Sequence, residues 1–276
     1  MFDFNTFLNA RPRPLVMGIV NATGDSFSEG ACSAPETALD RALRLLDDGA
    51  DVLDIGGEST RPGAEVIDPA TEIARILPVI EGVRRARPGA VISIDTRKSE
   101  VAAAALEKGV QIVNDVAMLR WDPRLAAVAA AAGAALVLSH SRGTPQTMRD
   151  PAFCEYGDDV VDAVIAELDR ARRHALEAGM TEEGLIYDPG IGFAKTPAQD
   201  WELLRRVDEF HRLGAVLVGM SRKSFLGAFL EQPEPAARLG GTIAAALFLA
   251  EREVEILRVH DVRQVCDALR VRRELL

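Results

Sequence analysis

Gly214-Ala-Val-Leu-Val-Gly-Met-Ser-Arg-Lys-Ser-Phe-Leu-Gly227 is the stretch that decides the fold. Ala215 to Val218 is a short apolar run, rich in β-branched residues and bounded by Gly214 and Gly219, and such a run reads as a buried strand. It then turns abruptly polar at Ser221, Arg222, Lys223 and Ser224. A buried strand that ends in two cations and two hydroxyls carries polar chemistry to one edge of a sheet, the edge where α/β folds place their sites. Taken alone, the cluster reads equally well as a solvated turn before a helix. Repetition of the same design along the chain favours the first reading.

Working outward, apolar strands are expected at 15–20, 51–55, 91–94, 110–113, 135–138, 185–187, 215–218 and 255–259. Each is followed by a polar or glycine-rich segment: 21–30, 56–63, 95–98, 114–115, 139–145, 188–195, 219–224 and 260–261. Helical periodicity fills the spaces between them. Helices are expected at 35–49, 69–87 (kinked or restarted near Pro78), 99–108, 122–132, 158–178, 198–213, 236–251 (weakened at its start by Gly240 and Gly241) and from 262 onward. Eight strand–helix units in 276 residues match an α/β chain folded as a single (β/α)8 TIM barrel, one domain over 1–276. A doubly wound open sheet ranks behind it, because no Gly-x-Gly-x-x-Gly follows the first strand.

The composition, 48% apolar and 27% charged, is that of a soluble globular protein. No apolar run is long enough to span a membrane. Met1 to Pro14 has no basic start followed by an apolar core, so a secretory signal is not expected and the cytoplasm is the expected compartment. Cys32, Cys154 and Cys266 are far apart and read as free thiols. A net charge of −10 argues against nucleic acid as a partner, while an anionic small molecule remains compatible if cations gather in one pocket.

In a barrel, every segment after a strand opens on one mouth. Asp95, Asn114 and Asp188 end strands three, four and six. Polar groups facing an apolar mouth are expensive unless a ligand satisfies them, and these suit a flat heterocycle with N–H donors, a pterin or a purine edge. The plainer readings are a helix cap for Asp95 and a turn before Pro189 for Asp188. Arg61, Lys223 and Arg258, with His260, end strands two, seven and eight. Arginine and lysine there fit phosphate oxygens, and Asn21 and Thr60 can join them around a diphosphate. His140, between Ser139 and Ser141, reads as well as a structural histidine as a functional one. No nucleophile with an adjacent base stands in triad spacing, and no Cys or His cluster has zinc spacing.

Taken together, Met17–Asn21 with Asp25–Ser28, Asp54–Gly63, Ser93–Lys98, Asn114–Val116, His140 with Arg142–Pro145, Asp188–Phe193, Ser221–Phe225 and Arg258–Val262 resemble the dihydropteroate synthases, in order and over essentially the whole chain. The resemblance implies a transferase of folate biosynthesis. It would condense 6-hydroxymethyl-7,8-dihydropterin diphosphate with 4-aminobenzoate, diphosphate leaving before the amine attacks. It implies pterin binding by Asp95, Asn114, Asp188, Phe193 and Lys223, and diphosphate binding by Asn21, Thr60, Arg61, Arg258 and His260. Phe27, Pro62 and Ser224 would border the aminobenzoate. Asp95, Lys223, Arg258 and His260 would carry catalysis, Mg2+ would sit near Asn21, and the enzyme would be a homodimer and a target of sulfonamides. The chain departs from the family's usual residues at Gly24 (Pro), Glu29 (Asp), Ser139 and Ser141 (Met) and Ala194 (Gly). A corrinoid-linked methyltransferase on the same barrel is the alternative, but it has no diphosphate for the cations to hold.

Overall fold

The computed structural model describes residues 2–11, 14–22, 37–59 and 63–276. Strands β1 (Leu15–Asn21), β2 (Val52–Gly56), β3 (Val91–Asp95), β4 (Ile112–Asp115), β5 (Ala135–Ser139), β6 (Leu185–Asp188), β7 (Ala215–Val218) and β8 (Ile256–Val259) each pair in parallel with the next. β8 returns to β1, with Met17 opposite Arg258, and closes the barrel.

Strand parity divides the core in two. Val16, Leu53, Ile92, Val113, Leu136, Tyr187, Val216 and Leu257 face outward onto the helices. Met17, Val52, Val91, Ile112, Val137, Ile186, Leu217 and Ile256 face inward and fill the barrel's lower end. A helix the sequence reading did not anticipate, α1 (Phe4–Asn9), covers that end with Phe4, Phe7 and Leu8. Asp3 caps it, accepting from the Thr6 N–H at 2.9 Å.

The outer layer comprises α2 (Ala38–Asp47), α3 (Pro69–Ala86), α4 (Ser99–Glu107), α5 (Arg124–Ala132), α6 (Val160–Glu177), α7 (Pro197–Arg205), α8 (Ser224–Leu230), α9 (Leu239–Glu251) and α10 (Val262–Leu275). Their starts are chemically marked. Thr37 with Asp40 and Thr196 with Gln199 form reciprocal capping boxes at α2 and α7. Asp68 caps α3 ahead of Pro69.

Four expectations are corrected. Pro78 does not interrupt α3: Ile76, Val79, Ile80 and Val83 bury its face on both sides, and that packing outweighs one lost ladder bond. The helix expected at 198–213 ends at Arg205, and a 3-10 segment follows over Val207–Arg212. The helix expected at 236–251 begins as a 3-10 turn, Pro235–Arg238, before α9. Gly241 there is a close approach, since a Cβ would lie 2.7 Å from Leu230 Cδ1. Finally, β4 starts at Ile112 rather than 110, so Asn114 and Asp115 belong to the strand itself.

Candidate active site

In β2, β4, β5, β6 and β8 the residue two positions past the apolar floor points into the same interior, and in β3 the residues two and four positions past Val91, Ser93 and Asp95, do so. The result is a ring of Asp54, Asp95, Asn114, Ser139, Asp188 and Arg258 at the mouth, with Ser93 among them. All but Arg258 are buried; Asp54 is 0%, Asn114 1%, Asp188 5% and Asp95 8% exposed.

Arg258 organises one half of the ring. Its Nε donates to Asp54 Oδ2 and its Nη2 to Asp95 Oδ2, both at 2.6 Å. Asn114 Nδ2 donates to the same Asp54 oxygen at 3.0 Å. One guanidinium thus sits between two carboxylates. Burial opposes its charge, but Asp54 and Asp95 more than offset that and hold it firmly protonated. Asp95 is pushed up to about 7, first by burial and then by Asp54, Glu72 and Asp115, with Arg258 working against the rise. Asp54 Oδ1, Asp95 Oδ1 and Asn114 Oδ1 are buried and find no donor among the described residues. Orphaned acceptors cost about 1–3 kcal/mol each, so this half of the mouth is built for a ligand that brings N–H donors.

The other half is built on the turn after β6. Asp188 Oδ2 accepts from Ser139 Oγ at 2.6 Å and Oδ1 from the Gly190 N–H at 2.8 Å. Gly190 is at φ +68°, and a Cβ there would lie 1.7 Å from the His140 carbonyl oxygen, so no side chain fits. Lys223 Nζ donates to the Ile191 carbonyl and stands 4.5 Å from the centre of the Phe193 ring. Burial pulls Lys223 down to about 8, while Asp188 and Asp200 support its charge. Lys195 lies behind the turn, and burial pulls it down to about 7.

The remaining expected residues stand on the rim. Asn21 is exposed at the end of β1, opposite Gly56. His260 Nδ1 lies 3.2 Å from Ser221 Oγ. Arg258 turns inward to the two aspartates. Ser224, exposed, opens α8. Arg222, at φ +58°, pairs with Asp261 through bonds of 2.9 and 2.5 Å. Phe27, Thr60, Arg61 and Pro62 lie outside the described residues, as do Gly24 and Glu29.

For Mg2+, the relevant observation is the donor set. Among the described residues no cluster of His, Cys, Asp and Glu is arranged to hold a metal, and Asn21 offers a single carboxamide oxygen on the rim. That suits a hard cation ligated mainly by substrate phosphate and water rather than by a protein cage.

Three features escaped the sequence reading. Asp54 is a carboxylate inside an otherwise apolar five-residue strand, and that was a usable signal. Ser139 shares the inward parity of Val137. The third is a buried ion cluster beside the mouth: Glu58 binds Arg97 and Lys98, each at 2.9 Å, and Lys98 also binds Glu72 at 2.5 Å. Its members come from the segments after β2 and β3 and from helix α3, so no local pattern reveals it.

The family described as pterin binding enzyme matches residues 17–260. A dihydropteroate synthase of Synechocystis sp. is 43% identical over 262 residues, covering 92% of this chain and 88% of its own. A dihydropteroate synthase structure from Clostridium difficile, solved in the presence of pteroic acid, superposes with a TM-score of 0.87 at 37% identity, over 100% of this chain and 99% of that one. One from Xanthomonas albilineans with 4-aminobenzoic acid gives 0.86 at 40% identity, over 95% and 93%.

Proposed function

The chain belongs to the pterin-binding enzymes, among the dihydropteroate synthases, and from that premise we propose how its own residues perform the reaction. It is a transferase of folate biosynthesis that joins 6-hydroxymethyl-7,8-dihydropterin diphosphate to 4-aminobenzoate. The observation that carries the residue assignment is the set of orphaned acceptors, Asp54 Oδ1, Asp95 Oδ1 and Asn114 Oδ1. A pterin edge carries ring N–H and amino donors that satisfy such a set. Asp188 faces it from the far side of the mouth, and Lys223 with Phe193 borders the ring.

Two carboxylates around one guanidinium leave the interior short of positive charge. That deficit favours a substrate that becomes cationic. When the methylene C–O bond breaks and diphosphate departs, the charge left on the pterin is delocalised into the ring and meets Asp95, Asp54 and Asp188. The aminobenzoate nitrogen then forms the C–N bond and loses a proton. Asn21, Thr60, Arg61 and His260 are assigned to the departing diphosphate, with Arg258 between it and the carboxylates. Phe27, Pro62 and Ser224 are assigned to aminobenzoate. Mg2+, carried with the diphosphate and touched by Asn21, would offset charge on the leaving group.

Catalysis is thus assigned to Asp95, Lys223, Arg258 and His260, and residues 1–276 to one functional unit. A homodimer follows the family resemblance, and Phe229 on α8, 71% exposed and against Trp201, is surface that such a contact would cover; sedimentation measures it. A cytoplasmic location agrees with the lack, among the described residues, of a helix long and apolar enough to cross a membrane. The reaction is tested with purified protein, pterin diphosphate, aminobenzoate and Mg2+, following diphosphate. Release that needs both substrates is expected; none at saturation would reject the reading.

A further inference from the structure

Behind the turn after β6 lies a ring of buried polar contacts that the chemistry above does not use. Lys195 Nζ stands 3.0 Å from each of three acceptors: the Gly190 carbonyl, the Phe193 carbonyl and His140 Nδ1. An ammonium has three N–H donors and no acceptor, so each has one partner. His140 is wholly buried; burial first, then the charge of Lys195, pulls it down to about 3. It is therefore neutral, accepts at Nδ1 and donates at Nε2 to Glu167 Oε2 at 3.0 Å. Glu167 also takes the Arg142 guanidinium, which stacks 3.9 Å over the Tyr156 ring. Tyr156 OH closes the ring by donating to the Ala194 carbonyl at 2.9 Å.

The segment this ring grips is the one that carries the pterin-facing groups. The Gly190 and Phe193 carbonyls accept from Lys195, while Asp188, Ile191 and the Phe193 ring turn toward the mouth and Lys223. Ala194 sits at φ +52°, a left-handed position costly for a residue with a Cβ, and it stays there between Tyr156 and Lys195. We propose that Lys195 is a positioning residue for the pterin half of the reaction: its ammonium fixes the 188–195 turn from behind, so that Asp188 and Phe193 meet the heterocycle already in place. The inference rests on the synthase reading and adds a residue that touches neither substrate.

The test is steady-state kinetics of wild type and Lys195→Met, varying each substrate at saturation of the other, beside thermal unfolding of both proteins. Three hydrogen bonds from a charged donor are lost, so KM for pterin diphosphate should rise about tenfold or more while KM for aminobenzoate stays within about twofold. Binding of 6-hydroxymethyl-7,8-dihydropterin, which lacks the diphosphate, should weaken in calorimetry by a similar factor. Should the methionine variant not fold, Lys195→Gln, which keeps a donor at lower number and charge, carries the same comparison. A lower melting temperature with both KM values unchanged would make the residue merely structural and overturn the proposal. So would an equal rise in both KM values. A wild type that releases no diphosphate sinks the synthase reading instead, and the two failures are distinct.

Discussion

Met17, Val52, Val91, Ile112, Val137, Ile186, Leu217 and Ile256 close the lower end of the barrel; Asp54, Asn114, Ser139, Asp188 and Arg258 stand one inward pleat above, and Asp95 stands two. Apart from half-buried Arg258, both layers are buried, and the upper one grows from strands that also build the lower. In the lower one, each side chain removed from water stabilises the fold by about 1.5–3 kcal/mol. In the upper one, three acceptor oxygens stay unpaired and Asp54 and Asp95 share a single guanidinium. A pleat is the smallest step by which a strand can change from building the fold to holding a ligand. Rigidity below is what keeps the costly layer above in register.

The sharpest way to break the contrast is Arg258→Ala. Turnover should fall by about a thousandfold or more. Stability should drop too, by about 3–5 kcal/mol at pH 8, because two buried carboxylates lose their cation. The loss should shrink at pH 6, where Asp95 takes up a proton. Wild-type turnover and denaturant midpoint together would remove the pairing from the account.

Met17→Ala probes the floor. It should cost about 2–5 kcal/mol in chemical denaturation and leave both KM values unchanged. A KM shift as large as that of a mouth variant would show that the layers are not separable.

A third prediction concerns protons. The folded pKa of Asp95, about 7, lies above its ordinary 3.8, so the native state binds more protons than the unfolded chain between those values. Its contribution therefore lowers the free protein's stability as pH rises from about 4 to about 7. Asp95→Asn should flatten that part of the profile. N–H donors favour the ionised form, so dihydropterin binding at pH 6.5 should release protons, seen in calorimetry across buffers of different ionisation enthalpy. Proton uptake at that pH would contradict the role given to Asp95.

The smallest effect is expected for Ser139→Ala. Losing one donor to Asp188 should raise KM for the pterin about fivefold, near 1 kcal/mol, with the melting temperature little changed.

The barrel was legible because each strand is a short apolar run ending in polar residues. Asp95, Asn114 and Asp188 were legible because they stand at strand ends. Asp54 was hidden by its place within a strand, although counting by twos from Val52 exposes it. The inward turn of Arg258 was not legible, since its partners lie 204 and 163 residues away. The bond between His260 and Ser221 was not legible either, since the two lie 39 residues apart. Lys195 was missed because its acceptors are two backbone carbonyls and one imidazole nitrogen, none of which leaves a pattern in side-chain chemistry.

A crystal structure of the protein with 6-hydroxymethyl-7,8-dihydropterin tests the central claim most directly. The account predicts the heterocycle lying on the apolar floor, with its N–H donors at hydrogen-bond distance from Asp95 Oδ1, Asn114 Oδ1 and Asp54 Oδ1 and its far edge at Asp188. A pterin bound elsewhere, with those three oxygens still unpaired, would contradict it.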